Sequence, residues 1–452
     1  MKAVRYIVFF AIMSLSAALC CPAQAQDFAR MSERSIMGSA RYVGMGGAMT
    51  AIGGDPSAVL DNAAGLGLYR RFEALFTVDE MIDRTQQITP AGMNNAARRN
   101  LFMFNQASLA FSFPTYHADN DGIQFHNIMF AYHRVHSYNR SFIPQSTGDP
   151  SLGSLLSTMS VNWDIPFNTY PYNMANRLDL RETGYVNEYT FDYAMNIANK
   201  WYVGLGLHMQ SYLLSADGNY QEEFATSTAA GVVHDNWNTT TLLYSGVSCN
   251  LSAGLIYRPL RWLRLGVGFQ TPTLGTLNIS SKGTLSSQTD SLRYSYAPDN
   301  MHSDPDFHMP LHLSTSVAFQ IGAYGLISLQ YDYRHAKFTN DLHALRAGVE
   351  VIPVMGMYVN LGYAFESSFK KNPTVVAADP TFVRQDTYFF NPRWSQYASA
   401  AIGYRGTYFM VQAAYQYRWQ RTSLYAHELA DTPYDIYADT HRIVLTIGWH
   451  SN

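Results

Sequence analysis

The chain has 452 residues, of which 14% are charged and 14% are aromatic, and its formal net charge is −3. Few charges together with many tyrosines and phenylalanines exclude a disordered chain, and the lack of a basic excess excludes binding to a nucleic-acid phosphate backbone. After residue 25 no run of about 18 apolar residues occurs, which excludes a helical membrane protein. The composition is typical of a β-rich protein.

The first 25 residues have the features of a secretory signal peptide. Lys2 and Arg5 precede the apolar stretch Tyr6–Leu19, and Ala23-Gln24-Ala25 supplies the small residues of a cleavage site. We therefore predict that residues 1–25 are removed on export. The mature chain would keep one cysteine, Cys249, so no internal disulfide is expected.

Residues 26–70 lack strand alternation and are rich in glycine and alanine. The run Gly44-Met45-Gly46-Gly47 has a counterpart in dinucleotide-binding loops, but no predicted strand precedes it and no βαβ unit surrounds it. Small residues suit a compact segment that packs against other backbone in a confined space. We expect such a segment here, and no cofactor.

From residue 71 to the end the sequence alternates between apolar and polar residues. In His441–His450, the apolar residues from Ile443 to Trp449 take one phase, and Arg442 takes the other. Such alternation predicts strands with one apolar and one polar face, each near the ~10 residues that a tilted strand needs to cross a bilayer. The fourteen predicted strands are Arg71–Asp79, Phe102–Phe113, Ile123–Val135, Tyr185–Ala198, Trp201–Leu214, Leu242–Tyr257, Leu263–Leu274, Leu311–Gln320, Leu326–Phe338, His343–Val351, Met357–Glu366, Ser395–Tyr404, Phe409–Trp419 and His441–His450.

The predicted connectors are short on one side and long and polar on the other, which is the layout of an outer-membrane barrel. A soluble β-sandwich or propeller, the alternative, has shorter strands and less asymmetric turns. Tryptophans near the strand ends fit an interfacial girdle. The predicted long loops are Glu80–Leu101, His136–Gly184, Ser215–Thr241, Ser280–Pro310, Ser367–Trp394 and Arg421–Thr440.

The segment before the strands resembles the N-terminal plug of the FadL/TodX family of outer-membrane transport proteins. The family's Gly/Ala-rich region, acidic turn and Asn-Pro-Ala-Gly-like motif correspond to residues 46–51, 54–58 and 62–66, with Ala63 where the family usually has proline. The hatch motif residues are Gly46, Gly47, Asp55, Pro56, Asn62 and Gly65.

The resemblance implies an all-β fold, a transmembrane antiparallel β-barrel of about fourteen strands over residues 71–452, with residues 26–70 as a hatch inside its lumen. It also implies an outer-membrane protein of a Gram-negative bacterium that carries hydrophobic small molecules, such as long-chain fatty acids or aromatic hydrocarbons. Outer-membrane lipid and the transported molecule are then its partners.

Charged residues on the polar phase of the strands are expected to face the lumen, because an arginine at the midplane of the lipid face costs about 2–4 kcal/mol. They could pair with each other and with hatch carbonyls, or recognise a carboxylate head group, for which Arg346 and Arg442 are candidates. Met129 and Ala131 in the third strand take the inward phase and are candidate apolar ligand contacts. The charged set is Arg264, Asp332, Arg334, Arg346, Glu350 and Arg442.

No metal or catalytic site is predicted. His133 and His136 are three residues apart on a strand, so they should point to opposite faces and cannot share a metal. A second group lies in a predicted loop, where polar residues are expected in any case: His302, Asp304, Asp306, His308 and His312. Ser, His and Asp do not form a recognisable nucleophile motif, so we expect no enzyme.

The leading hypothesis is a FadL-like passive transporter that captures its ligand with the long extracellular loops. The alternative is a barrel of this plan that serves as a protein-interaction or secretion component, similar to shuttle subunits of the type IX secretion machinery, with other envelope proteins as partners. A general diffusion porin is third, because the predicted plug would obstruct it.

Overall fold

The computed structural model describes residues 31, 33–89, 92–116, 121–147, 172–225, 234–289, 293–297, 300–304, 306–307, 310–335, 341–367, 389–425 and 433–451. The predicted signal peptide and its cleavage site lie outside these residues. In the described part of the chain, no helix is long and apolar enough to cross a membrane.

Fourteen strands form one closed antiparallel sheet, as predicted. Pairing of the last strand with the first, from Glu73↔His450 to Gln87↔Ile436, closes the sheet and leaves it without an edge. The strands are β1 (Glu73–Thr89), β2 (Gly92–Pro114), β3 (Ile123–Phe142), β4 (Tyr172–Ile197), β5 (Trp201–Ala225), β6 (His234–Leu260), β7 (Leu263–Gln270, continued by Leu274–Thr289), β8 (Leu311–Ile321), β9 (Gly325–His335), β10 (Leu342–Val351), β11 (Met357–Glu366), β12 (Phe389–Arg405), β13 (Phe409–Tyr425) and β14 (Tyr434–His450).

Four short segments complete the sheet. Gln145–Thr147 pairs with β4. Arg293–Tyr296, Met301–Ser303 and Asp306–Phe307 pair with the second part of β7.

The side chains alternate between an apolar outer face and a mostly polar inner face, as the sequence predicts. In β14, Leu445 and Trp449 are 51% and 53% exposed, whereas Arg442 and Thr446 are buried. Closure leaves every strand with a neighbour on both sides, so backbone N–H and C=O groups are paired where they face an apolar environment.

The predicted long loops are largely wrong in extent, because most of these stretches continue the strands. Glu80–Leu101 consists almost wholly of β1 and β2, and Ser215–Thr241 is shortened by β5 and β6 to the few residues between Ala225 and His234. Outward residues become polar there, so the hydrophobic alternation that defined a strand disappears while the backbone pairing continues. Most of Ser367–Trp394, and the middle of His136–Gly184, lie outside the described residues.

From residue 33 to β1, the segment folds into two short helices and a 3-10 turn. These are α1 (Ala40–Gly44), α2 (Pro56–Asp61) and Ala63–Leu68. Each begins at a residue whose side chain accepts a hydrogen bond from a backbone N–H two or three residues later, namely Ser39, Asp55 and Asn62. Such caps satisfy the first N–H groups of elements that are too short to be stable alone.

This N-terminal segment is buried and is hydrogen-bonded to strands on several sides of the sheet. Ala40 N donates to Thr446 Oγ1 in β14 (2.9 Å), and Thr50 N donates to Gln330 Oε1 in β9 (3.0 Å). Asn127 Nδ2 in β3 donates to Leu66 O (2.9 Å). Because these strands are far apart in the sheet order, the segment lies against the inner face of the barrel.

Six glycines on the inner face lie where the N-terminal segment packs against the barrel wall. At each of them, a Cβ atom would fall within 3.0 Å of an atom of the segment. At Gly362 in β11 the nearest atom is Gly46 N, and at Gly266 in β7 the nearest is Ala51 Cα. Only glycine allows the two backbones to approach so closely. We call Gly204, Gly254, Gly266, Gly268, Gly348 and Gly362 the seat glycines.

Candidate functional site

The hatch motif residues shape the N-terminal segment. Gly46 and Gly47 have φ angles of +62° and +74°, which favour glycine. Asp55 caps α2 through Ser57 N (2.9 Å) and accepts a hydrogen bond from Ser39 Oγ (2.6 Å). Pro56 occupies the first turn of α2, where no N–H partner is needed.

Asn62 and Gly65 hold two parts of the N-terminal segment together. Asn62 Oδ1 accepts a hydrogen bond from Ala64 N (3.0 Å), and its Nδ2 donates to Thr50 O (2.9 Å). Gly65 packs against Gly53, and Gly54 N donates to Gly65 O (3.0 Å). All six motif residues therefore have local structural roles in this compact fold.

Arg346 joins the N-terminal segment to the wall. Its Nη1 lies 3.1 Å from the Tyr42 hydroxyl and 3.3 Å from Asp61 Oδ2, both in the segment. On the wall side, Nε lies 3.0 Å from Asp332 Oδ2 and Nη2 lies 3.8 Å from Glu366 Oε1. The guanidinium is buried among these groups and is not open to a ligand in this conformation.

Arg442, Arg264 and Glu350 of the wall also contact the N-terminal segment. Arg442 Nη1 donates to Ile36 O (2.9 Å), and Arg264 Nη1 donates to Ile52 O (3.2 Å). Arg41 of the segment pairs with Glu350 through two contacts of 2.7 and 2.9 Å. Arg264, Glu350 and Arg442 thus face inward, as predicted, and each contacts the N-terminal segment.

Met129 and Ala131 face inward, as predicted, and are 0% and 9% exposed. Inside the barrel they belong to a cluster with Val59 and Leu66 of the N-terminal segment. A ligand could reach this inner face only if the segment moved.

Beside buried polar residues such as Arg140, Glu182 and Glu222, the half of the barrel away from the short turns holds a large apolar cluster. Half of its members lie in stretches that the sequence analysis assigned to loops. The members are Met31, Leu60, Val135, Tyr138, Phe142, Leu178, Leu180, Val186, Tyr212, Leu214, Ala216, Tyr220, Leu242, Tyr244, Leu277, Leu424, Tyr434 and Ile436. We call this set the upper cluster.

The upper cluster comes from an inversion of the alternation within single strands. In the first part of β5, Leu205 and Met209 point outward and are 61% and 52% exposed. Further along, Tyr212 and Leu214 are buried inside, and Asn219 on the other phase is exposed. The even-numbered residues face inside throughout β5, but near residue 211 the inner face changes from polar to apolar. This change of polarity is the sequence signal that could have revealed the cluster.

A groove of about 980 Å³ lies on the outer face of the wall, formed by β13, β14 and β1 to β5. It is lined by half-exposed apolar side chains, among them Phe76, Leu109, Phe130 and Val411, and it is also bordered by inner-phase residues of the same strands.

The prediction that His133 and His136 point to opposite faces is wrong. A register shift between Arg134 and His136 marks a β-bulge, which inserts one extra residue and brings both imidazoles to the inside, each 1% exposed. His136 Nδ1 lies 2.9 Å from Ser35 Oγ, and its Nε2 lies 3.4 Å from Glu33 Oε2.

No group of three His, Cys, Asp or Glu side chains able to hold a metal occurs in the described part of the chain. Of the predicted loop group, His308 lies outside the described residues, and His312 is buried beside Asp332 (3.4 Å).

Several solved structures share this fold over nearly their whole length. A FadL homologue of Pseudomonas aeruginosa is 12% identical, with a TM-score of 0.58 over 92% of this chain and 98% of that one. The monoaromatic hydrocarbon channel CymD is 11% identical, with a TM-score of 0.53 over 93% of this chain and 99% of that one. The toluene transporter TbuX of Ralstonia pickettii is 13% identical, with a TM-score of 0.52 over 92% of this chain and 100% of that one. At 11–13% sequence identity, this structural similarity shows that the chain shares their fold.

No protein-family model matches the chain, and no curated protein sequence matches it.

Proposed function

We propose that this chain is a FadL/TodX-like channel for the passive transport of hydrophobic small molecules across the outer membrane of a Gram-negative bacterium. The solved structures with this fold include a FadL homologue, a monoaromatic hydrocarbon channel and a toluene transporter. The observation that carries the proposal is the upper cluster, because a large apolar cluster inside the barrel favours apolar ligands over hydrated solutes. We propose neither an enzymatic activity nor a cofactor.

The domain division follows from this proposal. Residues 1–25 would be the signal peptide, residues 26–70 the hatch and residues 71–452 the barrel. The capped helices, the seat glycines and the hydrogen bonds to β3, β9 and β14 support a hatch within the lumen. The apolar outer face supports contact with outer-membrane lipid.

The ligand is proposed to enter among the side chains of the upper cluster and to pass the hatch when it shifts. Met129 and Ala131 would then line its path, because both face the N-terminal segment inside the barrel. Arg346 and Arg442 would meet a carboxylate head group only after losing their present contacts with the segment.

Two adjacent leucines of β6 test the proposal. Leu242 is 1% exposed within the upper cluster, whereas Leu243 is 39% exposed on the outer face. In proteoliposomes, Leu242→Gln should reduce uptake of toluene or a long-chain fatty acid about tenfold, since burying a leucine side chain is worth about 1.5–3 kcal/mol. Leu243→Gln should leave uptake within twofold.

Equal uptake by the two variants, with both barrels folded, would contradict a path through the upper cluster. Uptake of glucose as fast as toluene would indicate a diffusion porin instead. The secretion or protein-interaction alternative receives no support from the similar structures reported above. Proteins that co-purify with a barrel that takes up no hydrophobic compound would favour it.

A further inference from the structure

Four polar side chains lie around Ala131 on the inner face of the barrel wall. Ser108 of β2 and Thr190 of β4 are the residues directly opposite Ala131 on its two sides. His133 is the next inward residue of β3, and Gln106 of β2 lies opposite it. Directly opposite residues have Cβ atoms about 5 Å apart. Because alanine is the smallest side chain of the group, the four polar side chains border the space next to its methyl group.

Each of the four side chains has a buried polar atom without a hydrogen-bond partner in the described part of the chain. These atoms are Gln106 Nε2, Ser108 Oγ, both ring nitrogens of His133, and Thr190 Oγ1. Gln106 uses only its Oε1 atom, which accepts a hydrogen bond from Ser57 Oγ (2.6 Å). The four side chains are at most 5% exposed. Buried donors and acceptors without partners are destabilising, so a group that both donates and accepts hydrogen bonds would be stabilised at this point.

Apolar side chains adjoin these polar atoms on one side. Ala131 and Met129, the preceding inward residue of β3, belong to a buried cluster with Val59 and Leu66 of the N-terminal segment. A few polar groups at one end of an apolar surface are typical of sites for small organic molecules. The arrangement therefore fits a molecule with an apolar body and one polar group.

The charges next to His133 favour a neutral polar group over a carboxylate. Arg34 Nη2 lies 2.9 Å from Glu188 Oε2, and Glu188 is the cross-strand neighbour of His133. His208 lies between Glu188 Oε1 (2.7 Å) and Asp192 Oδ1 (3.3 Å). Both basic groups already contact carboxylates. An added carboxylate would lose its water without gaining a counter-charge, whereas a hydroxyl group needs only hydrogen bonds.

We propose that Ser108, His133 and Thr190 bind the hydroxyl group of a neutral hydrophobic compound, an alcohol or a phenol, whose apolar body lies against Ala131 and Met129. We call Ser108, His133 and Thr190 the hydroxyl site. The inference rests on the proposed function and narrows its ligand class. The compound reaches the hydroxyl site when the N-terminal segment shifts, because that segment covers Ala131 and Met129.

Equilibrium dialysis of the purified barrel against three compounds with the same methyl-substituted ring tests the hydroxyl site. At pH 7, toluene has no polar group, p-cresol has a neutral hydroxyl and p-toluate has a carboxylate. We expect p-cresol to bind about tenfold more tightly than toluene, because toluene leaves the buried polar groups of the site unpaired. We expect p-toluate to bind more weakly than p-cresol, because its charge finds no free cation at this site.

The variant Ser108→Ala/Thr190→Val removes two hydroxyls and keeps the apolar surface. It should weaken p-cresol binding about fivefold for each hydrogen bond lost, and toluene binding should stay the same. Its thermal stability without ligand should not fall, because the removed hydroxyls have no partner in the described part of the protein. His133→Leu should also reduce the preference for p-cresol. The matched control is Ser316→Ala/Ser328→Ala, which removes two hydroxyls of β8 and β9 that contact each other (3.3 Å) and should keep the preference.

Equal binding of toluene and p-cresol would overturn the proposal, because it would mean that internal water satisfies the four polar side chains. Tightest binding of p-toluate would overturn it as well. So would an equal loss of toluene and p-cresol binding in Ser108→Ala/Thr190→Val. Binding is measured without transport, so a failure of the hydroxyl site is distinguishable from a failure of the proposed function, which would appear as absent toluene uptake in proteoliposomes.

Discussion

Replacing Arg346 with methionine is the sharpest test of how the N-terminal segment is held. The Arg346 guanidinium lies between Asp61 of the segment and Asp332 of β9, at 3.3 and 3.0 Å, with Glu366 at 3.8 Å. All these side chains are less than 10% exposed. Methionine keeps the apolar stem and removes the charge, so the carboxylates lose the cation that they share.

Breaking a buried ion pair by removing one partner costs about 3–5 kcal/mol, because the other charge stays buried. Arg346→Met should therefore lower the free energy of unfolding by an amount in that range. Arg346→Lys should lose less, since it keeps the charge but not the planar fork. Adding Asp332→Asn to Arg346→Met should recover part of the loss, because an amide needs no counter-charge.

Urea unfolding in lipid vesicles, followed by tryptophan fluorescence, measures these differences. Limited proteolysis of the folded barrel reports separately on the segment, which should become cleavable in Arg346→Met before the strands do. A change below about 1 kcal/mol, the usual limit for an exposed ion pair, would refute the reasoning. So would a double variant that is no more stable than Arg346→Met.

Three further predictions concern the wall and the segment. Leu445→Arg should impair folding into bilayers by about 2–4 kcal/mol, whereas Leu445→Met should fold normally; equal folding in a refolding assay would mean that this face does not meet lipid. Gly362→Ala should expose the N-terminal segment to protease, because the added Cβ would meet Gly46 N, while Gly406→Ala, whose Cβ has no neighbour closer than 3.2 Å, should not. Deleting residues 26–60 should leave a folded barrel with raised permeability to small solutes, and unchanged conductance in planar bilayers would argue against a hatch.

The number of strands and the facing of their residues could be read from the sequence, because lipid imposes a strict two-residue alternation. Arg442 was placed inward on phase alone, and it is buried. Its partner could not be predicted, since Ile36 O is 406 residues away and only closure of the sheet brings the two together.

The errors have definite physical causes. Beyond the apolar belt, strands such as β5 and β6 remain paired while their outer residues turn polar, so composition indicated loops. The extra residue at Val135 leaves no trace in composition, yet it reverses the facing of His136. The upper cluster was missed for the first reason, although its inverted alternation is present in the sequence.

The seat glycines constrain the order of biogenesis. The space beside these glycines forms only after β5, β6, β7, β10 and β11 have joined the sheet. The N-terminal segment that fills this space is synthesised before any of the strands. A completed cylinder with so close a fit leaves no room to thread that segment in afterwards. We therefore expect β1 and β14 to pair only after the N-terminal segment is in place. A bulky group fused to that segment should stall membrane insertion at this last step.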